Sequence, residues 1–454
     1  MTGHSRRWTR AQGWLPRPLR RLSVLLTISL VLVVGAAISP LIARQPTKPG
    51  QPTRAAALDG RDRQSLGRAI ALAQQRLKLV PKDWPTWAQL GAAYVQQARI
   101  TADPAYYPKA ETALTESLRL QPDQNWQALA GLGALANARH DFHAGRDLAR
   151  RAQRINPYGG SIYGVLADAL TELGDYPGAE RSIQRMLDVQ PGIAAFARAS
   201  YYFESHGQVD RAREALQRAL VDSTDPADIA FCRYYLGDLA FHNGNPRAAL
   251  AHYERGIAAD PDYQPLRGGQ ARAWAALGLR AKALAAYSQA VRAVPLPQLL
   301  TEYGDLLTAG GRHQDARRQY DVLAAQRQIL LANGVTDHLG DAVFLADHGD
   351  PQGALTAARA EWQTRHSVLT ADALAWALYR AGRYAEALPY ARRATSLGWR
   401  NATFLYHRGA IHRALGQPDA AGTDLRRAIA INPYFDTLQA PQAQRMLAGL
   451  KGTA

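Results

Sequence analysis

The sequence predicts an all-α solenoid built from repeated pairs of helices. Three observations predict it: glycines return at a near-constant interval, an alanine follows each of them by five residues, and prolines close most of the units. The 454 residues exceed what one ordinary compact core accommodates, whereas a solenoid buries each repeat only against its neighbours. The apolar fraction of 47% is ordinary for a folded chain, so wholesale disorder is not expected.

The first 60 residues precede the repeats and have the pattern of a topology signal. Residues 1–21 form a basic segment with six arginines, which we expect to stay in the cytoplasm. Residues 22–43 (LSVLLTISLVLVVGAAISPLIA) carry no charge and are long enough to cross a bilayer as a helix. Residues 44–60 are rich in Pro, Thr, Gln and Gly, a composition typical of a flexible linker.

Two fates are open for the apolar segment. Its length favours a retained transmembrane anchor, but Val34-Gly35-Ala36 resembles the small-residue site of a cleaved signal sequence. Either fate places the repeat domain, residues 61–454, outside the cytoplasm. We therefore expect a single-pass protein of the cell membrane or, alternatively, a secreted protein.

The repeat is clearest at the turns between paired helices. A glycine permits the left-handed backbone that such a turn requires, and an alanine lets two helices approach closely. Prolines near the end of the second helix stop one unit before the next begins. The turn glycines are separated by 33, 37, 34, 33, 38, 33 and 34 residues, and are Gly174, Gly207, Gly244, Gly278, Gly311, Gly349, Gly382 and Gly416.

This pattern resembles the tetratricopeptide repeat, which has a period of about 34 residues. The closest unit has Leu236, Gly237, Ala240, Gly244, Ala249, Tyr253 and Pro261 at family positions, and an earlier unit has Trp87, Leu90, Gly91, Tyr94, Ala110 and Pro122. In a degenerate unit between them, His140 replaces the turn glycine. The resemblance covers about ten repeats from Trp87 to Pro433, and we expect single capping helices near 65–79 and 441–450.

Charge and cysteine content restrict the partners only loosely. The formal charge is +16, and outside the first 43 residues it is 48 − 38 = +10. A basic solenoid could meet nucleic acid, an anionic membrane surface or acidic proteins, but a genome rich in arginine codons explains the same charge without any ligand. The export signal disfavours nucleic acid. The single Cys232 cannot form an internal disulfide and is expected to be a small buried hydrophobe.

Motifs for catalysis, cofactors or metals are not recognisable in the sequence. There is no Gly-rich phosphate loop and no helix with the His and Glu pattern of a metalloprotease. His and Asp are concentrated at 337–341 and 347–350, but both segments fall at predicted helix starts, where Asp caps helices. We therefore predict no catalytic, cofactor-binding or metal-binding residues and no enzyme.

The resemblance implies that the first helices of successive repeats line a concave groove. Aromatic residues and Arg most often anchor interfaces, although packing against the adjacent repeat would explain the same rings. Asp168 and Glu172 would give the groove the opposite charge at its other end. The predicted groove residues are Tyr234, Asp238, Phe241, Trp376, Tyr379, Arg380, Tyr406 and Arg413.

The function predicted from these observations is a membrane-anchored or exported scaffold that binds a protein or peptide in its groove. One alternative is an accessory subunit of a cell-envelope enzyme or transporter that acts through its convex face. A second alternative is an enzyme with an unrecognised site.

Overall fold

The structure is a computed structural model, and it describes residues 63–451 of the chain. The predicted basic segment, anchor and linker therefore lie outside the described residues, and they stay predictions. Among the helices within 63–451, none combines the length and apolar character that a membrane span requires.

Twenty-two α-helices and their connecting loops make up the described part of the chain. The first helices of the pairs, called A helices, are α2 (Trp84–Thr101), α4 (Trp126–Ala138), α6 (Gly160–Leu173), α8 (Ile193–Ser205), α10 (Pro226–His242), α12 (Gln264–Ala276), α14 (Pro297–Thr308), α16 (His338–Asp347), α18 (Val368–Arg380) and α20 (Ala402–Ala414). The second helices, called B helices, are α3 (Tyr106–Leu120), α5 (Phe142–Ile155), α7 (Tyr176–Val189), α9 (Val209–Val221), α11 (Pro246–Ala259), α13 (Arg280–Ala293), α15 (His313–Ala332), α17 (Pro351–Thr364), α19 (Tyr384–Ala394) and α21 (Pro418–Ile431).

A single helix stands at each end of these pairs: α1 (Arg63–Leu79) packs on α2, and α22 (Gln439–Lys451) packs on α21. The predicted all-α solenoid is confirmed, and single helices lie near the two positions predicted for capping helices. The solenoid is longer than ten repeats, because a half repeat is added at either end.

Local chemistry explains where the helices begin and end. Side chains of Asp and Asn cap many N-termini, as where Asp175 accepts a hydrogen bond from Gly178 N at 2.9 Å and Asn245 accepts one from Ala248 N at 3.0 Å. The turn glycines adopt the predicted positive φ, for example +80° at Gly174. His140, which replaces a turn glycine, also has a φ of +65°. The degenerate unit therefore keeps the geometry of the repeat without its glycine.

Small residues bring the paired helices together as the pattern predicts. Ala249 is fully buried, and a Cβ on Gly237 would lie 2.4 Å from the Tyr253 ring. Cys232 is buried as well, in agreement with the role predicted for it. Each repeat thus adds a thin layer of core between its own two helices and the next A helix.

The solenoid winds into two gyres that touch along an edge. The first gyre comprises α2–α11, and the second comprises α12–α21. Turns between paired helices of the first gyre meet loops between repeats of the second gyre. Two contacts show this. Asn432 Nδ2 donates a hydrogen bond to Phe241 O, 191 residues away in the sequence, and His140 Nδ1 lies 3.2 Å from Thr336 O, 196 residues away. We call this edge contact the seam.

Glycine turns let the two gyres approach closely at the seam. Cβ atoms built on Gly174, Gly207 and Gly244 would each lie 2.5 Å from a backbone carbonyl oxygen of the second gyre. In the second gyre, by contrast, the turn glycines have no such neighbour within 4 Å; they are Gly278, Gly311, Gly349, Gly382 and Gly416. The first gyre's turns are therefore covered, and those of the second gyre form an open rim.

Candidate concave interface

Charged side chains join successive A helices from the first gyre into the second. Arg198 of α8 forms a two-pronged ion pair with Asp168 of α6, with nitrogen–oxygen distances of 2.8 and 2.7 Å. Burial raises the pKa of Asp168 to about 6 even though the Arg198 guanidinium lowers it. Arg272 of α12 pairs with Asp238 of α10 at 2.5 Å and with Glu302 of α14 at 3.2 Å. Each link crosses from one repeat to the next.

The same arrangement continues through the second gyre with histidines as partners. His348, at the end of α16, lies with Nε2 2.9 Å from Asp305 Oδ1 of α14. His407 of α20 lies with Nδ1 2.9 Å from Asp372 Oδ2 of α18. Burial lowers the pKa of each histidine, but the neighbouring carboxylate raises it, and the pKa lies above its ordinary value on balance. We call this series of links the concave ladder.

Most of the predicted groove residues belong to the walls of the solenoid rather than to its surface. Trp376 stacks on His407 with ring centres 4.0 Å apart, and its indole Nε1 donates to Asp347 Oδ1 at 2.7 Å. The buried predicted residues are Tyr234, Asp238, Phe241, Trp376 and Tyr406. The expectation that these five form an open surface is corrected, because each is wedged between neighbouring helices.

Three predicted residues remain accessible at the ends of α18 and α20. Tyr379 and Arg380 are half-buried, and Arg413 is exposed. Both arginines are close enough to lower the pKa of the Tyr379 hydroxyl, which burial raises on balance. Neither guanidinium lies within ion-pair distance of a carboxylate among residues 63–451. These three side chains are accessible at the ends of adjacent A helices, and their role in binding stays a prediction.

The two carboxylates expected to give the groove a negative end are both already paired. Asp168 is held by Arg198, and Glu172 accepts a hydrogen bond from Arg365 Nε of the second gyre at 2.7 Å. Both carboxylates line a small cleft beside Tyr176 and Tyr201. The pairing of Glu172 across the gyres has no signal in the local sequence, because its partner lies 193 residues away.

One Asp in each of the two segments rich in His and Asp caps a helix, as predicted. Asp337 accepts a hydrogen bond from Gly340 N at 3.0 Å, and Asp350 accepts one from Gly353 N at 2.9 Å. Within the described part of the chain, no group of three or more His, Cys, Asp or Glu side chains is arranged to hold a metal ion.

Comparisons with known proteins agree with this architecture. The family model described as "Tetratricopeptide repeat" matches residues 165–229, 204–264, 234–296 and 373–434. Residues 165–296 and 373–434 therefore carry tetratricopeptide repeats. Among curated proteins, none matches the chain in sequence.

Solved structures of the same repeat type share low sequence identity with the chain. A tetratricopeptide repeat protein from Parabacteroides merdae is 18% identical, with 57% of this chain and 98% of that chain covered and a TM-score of 0.35. A thermophilic tetratricopeptide repeat protein from Thermus thermophilus is 19% identical, with 47% and 98% covered and a TM-score of 0.35. Human IFIT1, in its dimer with PPP-AAAA, is 16% identical, with 81% and 77% covered and a TM-score of 0.41.

Proposed function

We propose that this protein is a scaffold that holds an extended protein segment along the concave face of its second gyre. The observation that carries the proposal is that Arg380 and Arg413, near the ends of adjacent A helices, have no carboxylate within ion-pair distance among the described residues. The Arg380 guanidinium lies over the Trp376 ring, 5.9 Å from its centre. In the concave ladder, by contrast, the charged side chains pair with one another. A guanidinium pair next to an aromatic ring suits an acidic side chain or a C-terminal carboxylate of the partner.

The experiment is a comparison of two double variants. Proximity labelling in the native cell identifies partners, and their affinity for the purified chain is then measured. Arg380→Ala with Arg413→Ala should weaken binding about tenfold or more, since charge-assisted hydrogen bonds are lost. The matched control is Arg150→Ala with Arg151→Ala, which removes the same charge from exposed positions on α5. Unchanged affinity of the first variant would reject the concave site.

A second candidate function uses the convex face, and the distribution of charge favours it. The ten B helices carry 24 Lys and Arg against 14 Asp and Glu, a net charge of +10. The ten A helices carry 8 against 10, a net charge of −2. An acidic subunit of a larger assembly would be attracted to the convex side. This candidate is supported over the concave one if Arg150→Ala with Arg151→Ala loses binding while Arg380→Ala with Arg413→Ala does not.

The proposed location outside the cytoplasm is supported by residues 1–43 of the sequence. The arginines before residue 22 and the uncharged span after it have the order expected of an anchor or signal. A reporter that is active only outside the cytoplasm, fused after Ala454, should give a signal. A stable but silent fusion protein would reject export.

A further inference from the structure

The two ends of the solenoid are complementary halves of one repeat. At the first end, α1 packs on α2 as a B helix packs on the following A helix. At the other end, α22 packs on α21 as an A helix packs on the preceding B helix. Placed side by side, α22 and α1 would make one A–B pair.

Apolar side chains are exposed where α1 ends. Leu79 is 83% exposed, and Val80 and Leu72 are exposed as well. Further along the same edge of the first gyre, Tyr158 is 66% exposed and Val221 is 83% exposed. Exposed apolar residues that share one edge offer contact area to a second surface. We call this edge the loop rim; it comprises residues 79–83, 121–125, 156–159, 190–192 and 221–225.

The opposite edge of the molecule is the open rim formed by the five uncovered turns of the second gyre. It also exposes apolar side chains, Leu279 and Tyr384. Its turn glycines have the same backbone as those at the seam, with φ of +76° at Gly382 and +73° at Gly207. The open rim therefore repeats the backbone geometry that the first gyre uses to receive a loop.

The loop rim likewise repeats a segment that forms the seam. Ile431-Asn432-Pro433-Tyr434 lies at the seam, where Asn432 Nδ2 donates to Phe241 O at 2.9 Å and Asn432 Oδ1 accepts from Tyr434 N at 2.9 Å. The same four residue types occur at 155–158 on the loop rim. There Asn156 Oδ1 accepts from Tyr158 N at 3.1 Å, so the turn is alike.

We propose that copies of this chain associate end to end, with α22 of one copy beside α1 of the next and the open rim of one against the loop rim of the other. Such a contact continues the seam into the second copy. At the seam, each turn receives the loop that lies five repeats further on. The same register brings the Gly278 turn of one copy to residues 80–83 of the next, and the Gly349 turn to residues 156–159. Leu279 then meets Leu79 and Val80.

Because the contact joins an open rim to a loop rim, every assembly still has one free open rim at one end and one free loop rim at the other. Association of this type does not close at two copies, and the mean size grows with concentration. A symmetric dimer would instead stop at two. The size distribution therefore separates an end-to-end contact from other modes of self-association.

The experiment is sedimentation velocity of the purified full chain over a wide range of concentrations. The loop-rim variant is Leu79→Ser with Val80→Ser, and the open-rim variant is Leu279→Ser. Each should weaken association about tenfold or more, because apolar contact area is lost at the junction. The matched control, Val322→Ser with Val343→Ser, changes exposed valines away from both rims and should associate like the original chain.

Mixing the two rim variants gives the sharpest result. The loop-rim variant keeps an intact open rim, and the open-rim variant keeps an intact loop rim, so a mixture should form heterodimers that grow no further. Thermal unfolding of each variant should match that of the original chain, since the changed side chains are exposed. A chain that is monomeric at every concentration, a chain that stops at a dimer, or rim variants that associate normally would overturn the proposal.

Discussion

Arg365 and Glu172 form a buried ion pair between the two gyres, with Arg365 Nε 2.7 Å from Glu172 Oε2. Glu361, one helical turn before Arg365, accepts a second hydrogen bond from the same guanidinium at 3.1 Å. Burying a guanidinium is costly unless carboxylates and hydrogen bonds surround it. Arg365 therefore depends on Glu172 of the other gyre, and the pair makes closure of the seam specific.

Removing the Glu172 charge should destabilise the whole solenoid. Glu172→Gln leaves Arg365 buried with one carboxylate instead of two, at a cost of about 3 kcal/mol in the free energy of unfolding. Urea denaturation measures this change. Glu116→Gln is the control, because Glu116 pairs with Arg119 at the exposed surface of α3 and should have little effect. Equal stability of the two variants would show that the seam does not support the fold.

The seam glycines should tolerate a methyl group less well than equivalent glycines of the open rim. Gly207→Ala and Gly382→Ala both place alanine at a φ near +75°, at a similar strain of about 1–2 kcal/mol. Only at Gly207 would the new Cβ lie 2.5 Å from the carbonyl oxygen of Gly398. Gly207→Ala should therefore lower the melting temperature further. If Gly382→Ala is the more damaging change, the seam is not closed in solution.

The repeat architecture could be predicted from the sequence because its signals are local. Gly244 and Ala249 are five residues apart, and the physical demands on them arise within one helix pair. The seam could not be predicted, because Asn432 and Phe241 lie 191 residues apart and their approach depends on the summed rotation of every repeat between them. Small changes in that rotation, which no single motif determines, decide which turns are covered.

The candidate site was predictable only in part for the same reason. The sequence predicts both Trp376 and Arg380 as groove residues on one A helix. In the structure the Trp376 ring is buried against His407 of the next A helix, while Arg380 stays partly accessible. Residue type carried no such information, since an aromatic ring suits both a groove and a core.

Trp376 and Arg380 should therefore respond differently to truncation. Trp376→Ala removes a buried ring that stacks on His407 and donates to Asp347, and it should cost about 3–5 kcal/mol of stability. Arg380→Ala should leave the unfolding transition unchanged and act only on partner binding. Chemical denaturation of the two single variants separates these effects. A stable Trp376→Ala protein would return this ring to the list of interface candidates.

His407 should make the stability of the solenoid depend on pH. Its Nδ1 lies 2.9 Å from Asp372 Oδ2, and its Nε2 lies 3.1 Å from Gln439 Oε1. The amide nitrogen of Gln439 donates to Asp347 at 2.8 Å, so its oxygen faces the ring and both ring nitrogens have acceptors. That arrangement suits the protonated imidazolium.

The sign of the pH dependence follows from the pKa. Burial lowers the pKa of His407, but Asp372 raises it, and in the folded protein it lies above the ordinary value of 6.5. The folded state then binds more protons than the unfolded state, so this contribution to stability is complete below about pH 6.5 and is lost as the pH rises through the folded pKa.

Other groups act in the same direction as His407. The pKa values of His242 and His348 are also raised, and burial raises the pKa of Asp436 to about 7. The measurement is therefore the difference in the free energy of unfolding between the original chain and the His407→Gln variant, followed from below pH 6.5 upward. The difference should be largest at low pH and shrink as the pH rises, whereas a constant difference would mean that His407 is neutral in the folded protein.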